Sequence, residues 1–101
     1  MVKVRNLLES DLDNAKYLTD SEDWGNSKSD WVRLFKMSTP LGAYQNDKLV
    51  GVTTAFDFGS LGMIGNVIVS AKFRGKDIGS KLVTEAKKRL ESCDSVRVHS
   101  N

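Results

Sequence analysis

The sequence predicts one mixed α/β domain with the element order β-α-α-β-β-β-α-β. Three observations carry that expectation. A chain of 101 residues has room for a single core and no second module. Apolar residues alternate with period two in some runs and recur at i, i+3 and i+4 in others, so both strands and helices follow from the pattern. The apolar run Asn66–Ser70 passes through the glycine-bearing stretch FRGKDIGS, Phe73–Ser80, into the most regular helical pattern of the chain. That is how a central strand feeds a helix in an α/β fold.

Taken in order, Val2–Leu7 alternates as a short strand. Ser10 is the expected cap of a first helix, with Asp11 and Asp13 in its positive first turn and Leu12, Ala15 and Leu18 or Tyr17 on one face. The polar segment TDSEDWGNSKSD ends at a second capping signal, Ser29-Asp30. A short helix follows with Trp31, Leu34 and Phe35 as its buried stripe, and Thr39-Pro40 stops it. A hairpin comes next: Leu41–Gln45, a turn at Asn46-Asp47-Lys48, then Leu49–Phe58, where Val50, Val52, Phe56 and Phe58 share a parity opposite Thr53 and Asp57. Gly59–Gly62 turns into Met63–Val69, whose last part is apolar on both faces, as in a central strand. Ile78, Leu82, Val83, Ala86 and Leu90 mark a helix of about four turns, Asp94-Ser95 breaks it, and Val96–Ser100 begins a strand.

Composition excludes several function classes. No apolar run approaches the ~20 residues that span a bilayer, and MVKVRNLLESD lacks the continuous apolar core of a signal peptide, so a cytoplasmic protein without membrane association is expected. One cysteine, Cys93, and one histidine, His99, supply neither a disulfide framework nor the ligands of a zinc site. A net charge of +2 is too mild for a dedicated nucleic-acid binder, although residues 72–89 carry seven of the cations. Gly62-Met-Ile-Gly65 has the spacing of the GxxG loop of RNA-binding KH domains, but no helix follows it, and a hairpin turn is the simpler reading.

The chemistry concentrates in FRGKDIGS. A strand that enters a helix through glycines leaves backbone N–H groups pointing along the axis in the positive field of the helix dipole, which is a place for an anion. Arg74 and Lys76 would add charge there, whereas the same glycines would also serve a junction that only needs to turn. The spacing is neither that of the P-loop nor that of the dinucleotide fingerprint.

Asn66–Val83 resembles the acetyl-CoA-binding motif of the GCN5-related N-acetyltransferases (GNAT), an apolar strand followed by R/Q-x-x-G-x-G/A and a helix. VRNLLESDLDNAKYL is similar to that family's first strand and helix, and LGAYQNDKLVGVTTAF to its second and third strands. The resemblance implies a mixed, mostly antiparallel sheet with helices on both faces, and transfer of acetyl from acetyl-CoA to a primary amine by direct attack. It also implies roles. The main chain of Val67, Ile68 and Val69 would pair with the pantetheine arm, the amides of Arg74, Gly75, Lys76, Asp77, Ile78, Gly79 and Ser80 would hold the pyrophosphate, and the Val69 N–H would polarise the thioester carbonyl.

The chain departs from the family pattern twice. Asp77 stands where the motif's first glycine is expected; its N–H can still donate if φ is negative, or its carboxylate caps the helix in place of a phosphate. The helix and strands that usually follow the strand resembled by VRVHS, with their acid tyrosine, do not follow here, so a homodimer or a continuation that completes the sheet is expected. Tyr17 and Tyr44 lie in the wrong elements to replace that tyrosine. Asp57 is a candidate base or a turn residue, and Trp24 lines an acceptor pocket or closes the core. Trp31 belongs to the core stripe, Asn66 fixes substrate or sits in a β-bulge, and His99 is a conceivable base or merely solvated. A domain that keeps the fold for regulation or assembly without catalysis is the alternative reading.

Overall fold

The computed structural model of the chain describes residues 2–21, 28–73 and 77–98, and at 21, 28 and 66 the backbone alone. Strand β1 is Lys3–Asn6, helix α1 Leu12–Ser21, α2 Lys28–Met37, β2 Thr39–Gln45, β3 Lys48–Asp57, β4 Leu61–Val69, α3 Ile78–Arg89 and β5 Ser95–Val98. Single 3-10 turns precede α1 and follow β4. The element order is the one the sequence predicts. The strands form one sheet in the order β1-β2-β3-β4-β5, antiparallel throughout except for the parallel β4–β5 pair.

Two apolar layers hold the helices to opposite faces. On one face Leu12, Ala15 and Leu18 of α1 and Trp31 of α2 pack on Tyr44, Leu49, Val52 and Ile68. On the other, Ile78, Leu82, Ala86 and Leu90 pack on Leu41, Ala43, Val50, Ala55 and Ile64. Burying a side chain such as Leu82 or Ile64, both 0 % exposed, contributes roughly 2 kcal/mol. Trp31 is in the core as the stripe predicts, and its indole N–H donates to Thr19 Oγ1 at 3.4 Å, tying α2 to α1.

Local details correct the expectations at several points. The start of α1 is secured by Asp11, not Ser10: its carboxylate accepts the Leu8 N–H at 2.9 Å and pairs with Arg5 at 3.2 Å. Helix α2 stops at Met37, before Thr39-Pro40 as expected, but those two residues already open β2, which the sequence reading starts at Leu41. Proline is tolerated because its carbonyl accepts the Leu7 N–H at 2.9 Å, just beyond the last β1–β2 pair, Asn6 with Leu41, where no ladder donor is required. The β2–β3 turn holds two residues, Asn46 and Asp47, at φ 51° and 65°, the positive φ pair of a type I′ hairpin. Lys48 already pairs with Gln45.

The expected shared parity of Val50 and Val52 fails. Tyr44 pairs with Leu49 and Ala43 with Gly51, so Val50 is the extra residue of a bulge in β3. Its side chain joins the α3 layer while Leu49 and Val52 face α1 and α2. Gly62 and Gly65 lie inside β4 instead of forming a turn.

Candidate functional site

Strand β4 carries a second bulge, and it shapes the candidate site. Val52 pairs with Ile68 and Thr54 with Gly65, so Asn66 and Val67 together face Thr53. Of the two sequence readings for Asn66, its backbone position matches the bulge. The hydroxyls of Thr53 and Thr54 both donate to the Gly65 carbonyl, at 2.9 and 3.1 Å, and both side chains are buried. This double clamp holds the strand's irregularity in place, since a buried carbonyl without a donor costs about 1–3 kcal/mol. The parallel ladder to β5 covers Leu61–Ile64 and is not continued by the described residues. The bulge at Asn66 and Val67 follows directly after that ladder and twists β4 locally.

Helix α3 begins next to this segment. Ile78, 1 % exposed, anchors its first turn in the core, and the Lys81 N–H donates to the Asp77 carbonyl at 3.1 Å. Asp77 sits at the N-cap with φ 61° and ψ 20° and makes no side-chain cap hydrogen bond. Both sequence expectations for it therefore need correction: φ is not negative, and the carboxylate does not cap the helix. The left-handed conformation explains why a glycine suits this position, since a Cβ there costs energy that Asp and Asn tolerate better than other residues. The Asp77 side chain borders a groove between β1 and α3 with Val2, Val4, Ser80 and Lys81.

Gly79, in the first turn, needs glycine for neither φ nor packing. A Cβ built on it would lie 3.8 Å from Val67 Cγ1 and 3.9 Å from Val69 Cγ2, at ordinary contact distance. The helix thus presents a space one methyl deep to the last part of β4, at Val67 and Val69. Gly51 differs, since its Cβ would meet Leu82 Cδ1 at 3.1 Å and the Ile68 carbonyl at 3.3 Å, so glycine is what lets α3 lie close to the sheet. Val67, Ile68, Val69, Asp77, Ile78, Gly79 and Ser80 are brought together at this junction; Arg74, Gly75 and Lys76 lie outside the described residues, as do Trp24 and His99.

Asp57 stands apart from that group. It pairs with Gly62 at the start of β4, whereas Val69 pairs with Gly51, which separates them by roughly 20 Å at ~3.4 Å per residue. Its carboxylate accepts the Gly59 N–H at 2.8 Å and the Cys93 thiol at 3.5 Å, the local bonding of a turn residue. Burial, and then the neighbouring Asp57 and Asp94 carboxylates, push the Cys93 thiol above its ordinary pKa, which favours its protonated form.

Tyr17 is 76 % exposed and Tyr44 only 8 %. Arg5 lies over the Tyr44 ring at 3.9 Å, and burial, then the Asp11 carboxylate, raise the phenol's pKa well above its ordinary value. The hydroxyl stands beside Asp11 without a well-formed hydrogen bond. Both tyrosines lie in the first helix and second strand, as the sequence places them.

Two features escape sequence reasoning. The threonine clamp could be suspected only from the Thr-Thr pair in a strand, and the stacked rings of Phe56 and Phe58, 5.9 Å apart, from their spacing alone. Among the described residues no group of three His, Cys, Asp or Glu could hold a metal, and no helix is long and apolar enough to cross a membrane.

The similarities to known proteins agree with this geometry. A ribosomal-protein-alanine N-acetyltransferase from Brucella melitensis biovar Abortus 2308 superposes with a TM-score of 0.86 at 20% identity, over 100% of this chain and 81% of that one. A GNAT family acetyltransferase from Streptococcus pneumoniae TIGR4 gives 0.79 at 20% identity, over 100% and 75%. The PaiA N-acetyltransferase of Thermoplasma acidophilum, in complex with coenzyme A, gives 0.75 at 18% identity, over 90% and 72%. At these identities the likeness is one of fold. No curated protein sequence matches the chain significantly. The family model described as "Acetyltransferase (GNAT) family" matches residues 2–100, and the chain belongs to that family.

Proposed function

We propose that this chain is an acetyl-CoA-dependent N-acetyltransferase domain acting on a primary amine. One observation carries the reading: at Gly79 the first turn of α3 keeps a methyl-sized space open toward Val67 and Val69, beside the bulge of β4. A helix-forming residue would be expected there if packing alone decided. The space fits a ligand chain lying along β4 with its anionic end at the N-terminus of α3.

When bound, acetyl-CoA supplies an acetyl thioester. In our reading the backbone of Val67–Val69 orients the pantetheine arm like an added strand, and the amides from Arg74 to Ser80 receive the pyrophosphate. The Val69 N–H is aimed at the thioester oxygen, where charge develops on attack. Holding the amine and the acetyl carbon at contact supplies much of the acceleration. The buried Thr53 and Thr54 clamp keeps the strand in the shape this orientation needs.

The alternative, a domain that keeps the fold for regulation or assembly, is favoured by one feature, the Asp77 carboxylate beside a site for an anion. Calorimetric titration with acetyl-CoA, joined to mass-spectrometric detection of acetylated products over an amine panel, separates the two. Saturable binding with turnover supports the transferase; binding without any product supports the alternative; no binding rejects both the cofactor site and its assignment.

A further inference from the structure

A second groove opens where β4 ends. It lies between α1, the β2–β3 hairpin and the chain that enters the 3-10 turn Ala71–Phe73, with a volume of about 550 Å³, within the range of small-molecule sites. Asn14 and Tyr17 line it from α1, Asp47 and Lys48 from the hairpin, and Ser70 and Lys72 from the chain leaving β4. Two cations thus stand against one acid. Lys48 lies over the Phe73 ring at 5.9 Å, which holds its charge beside the 3-10 turn. Lys72 is exposed and makes no ion pair or side-chain hydrogen bond among the described residues. Tyr17 is exposed as well, so the groove combines positive charge with an accessible aromatic ring.

We infer that this groove receives an adenosine carrying a 3′-phosphate, the nucleotide end of coenzyme A, and that Lys72 and Lys48 select for that phosphate. The inference rests on the acetyltransferase reading, in which the ligand's arm runs along Val67–Val69 and its pyrophosphate meets the first turn of α3. The groove adjoins that path. Ser70 follows Val69 directly, and its N–H donates to the Val50 carbonyl at 2.8 Å, so the groove opens off the end of the β3–β4 ladder. Three residues cannot span more than about 11 Å, which sets the limit on the distance from Val69 Cα to Lys72 Cα. The other groove at this end, between β1 and α3, offers no surplus positive charge: Asp77 offsets Lys81, and Glu85 is paired with Arg89 at 3.2 Å. A further phosphate is therefore favoured on the α1 side. There the Tyr17 ring suits the face of adenine, the two ammonium groups suit the phosphate, and Asp47 and Asn14 supply acceptors for the ribose hydroxyl and the adenine amino group.

The test reads binding alone, by calorimetry of the full chain with coenzyme A, 3′-dephospho-coenzyme A and adenosine 3′,5′-bisphosphate. Coenzyme A should bind about tenfold or more tightly than its 3′-dephospho form, and the advantage should shrink as salt is raised. Lys72→Gln, at an exposed position, should weaken coenzyme A about fivefold or more and leave the 3′-dephospho form unchanged. Tyr17→Ser should weaken both about fivefold or more. Adenosine 3′,5′-bisphosphate, which lacks the pantetheine arm, should bind and displace coenzyme A. Equal affinities for the two coenzyme forms, or a Lys72→Gln loss shared by both, overturns the groove and leaves the transferase reading standing. A bisphosphate that binds without displacing coenzyme A places the groove off the ligand's path and overturns it too. Failure to bind either coenzyme A or acetyl-CoA removes the transferase reading, and the groove with it.

Discussion

Gly79 faces Val67 across a gap of one methyl group, with a Cβ on the glycine falling 3.8 Å from Val67 Cγ1. The protein could fill that gap and does not. Gly79→Ala should therefore stabilise the fold by about 0.5–1 kcal/mol through helix propensity, which raises Tm by about 4 °C in a domain of this size. The same variant should lose about tenfold in acetyl-CoA affinity, equivalent to about 1.4 kcal/mol. Thermal unfolding and calorimetry on one sample check both; a variant that is more stable and binds undiminished would show that the space serves nothing on the ligand's path.

Asp77 holds φ 61° without a capping bond. Asp77→Gly should raise stability by about 1 kcal/mol in urea unfolding, because the left-handed conformation penalises a Cβ. Asp77→Asn tolerates the same conformation and removes the charge. If acetyl-CoA affinity rises in both variants, the carboxylate opposes the pyrophosphate; a rise in the glycine variant alone assigns the effect to the backbone.

The Gly65 carbonyl takes both threonine hydroxyls. Thr53→Val and Thr54→Val should each cost about 1 kcal/mol, and the double variant more than their sum, since only then is the buried carbonyl left without either donor. A double-mutant cycle by denaturant unfolding reads the coupling, and strict additivity would mean that the two hydroxyls do not share one role.

Asp11 supplies a pH test. Burial raises its pKa, but the Leu8 amide, the Tyr44 hydroxyl and Arg5 together outweigh that and leave it below the ordinary carboxylate value. A carboxylate with a depressed folded pKa stabilises the fold above its unfolded value, about pH 4, and loses that contribution as pH falls through the folded value. Asp11→Ala should therefore cost about 1 kcal/mol at neutral pH, and the deficit should shrink as unfolding is measured in progressively more acid buffer. A deficit that stays constant with pH would assign the loss to packing.

Much of this protein was determined by local sequence. The period-two and helical runs placed each element in order, Trp31, Leu34 and Phe35 announced the stripe of α2, and FRGKDIGS announced the strand-to-helix junction, because periodicity and glycine placement act over a few residues. What only the tertiary structure decided depends on pairing between distant strands. The bulge at Val50 sends that side chain and Val52 to opposite faces, and the bulge at Asn66 and Val67 exists only relative to Thr53. A bulge is a mismatch in residue count between two strands, so neither strand contains it alone. Likewise, that Asp77 is left-handed and that Gly79 stands open toward Val67 follow from how α3 settles on the sheet, where burial of Ile78 and Leu82 sets the backbone and the junction conforms.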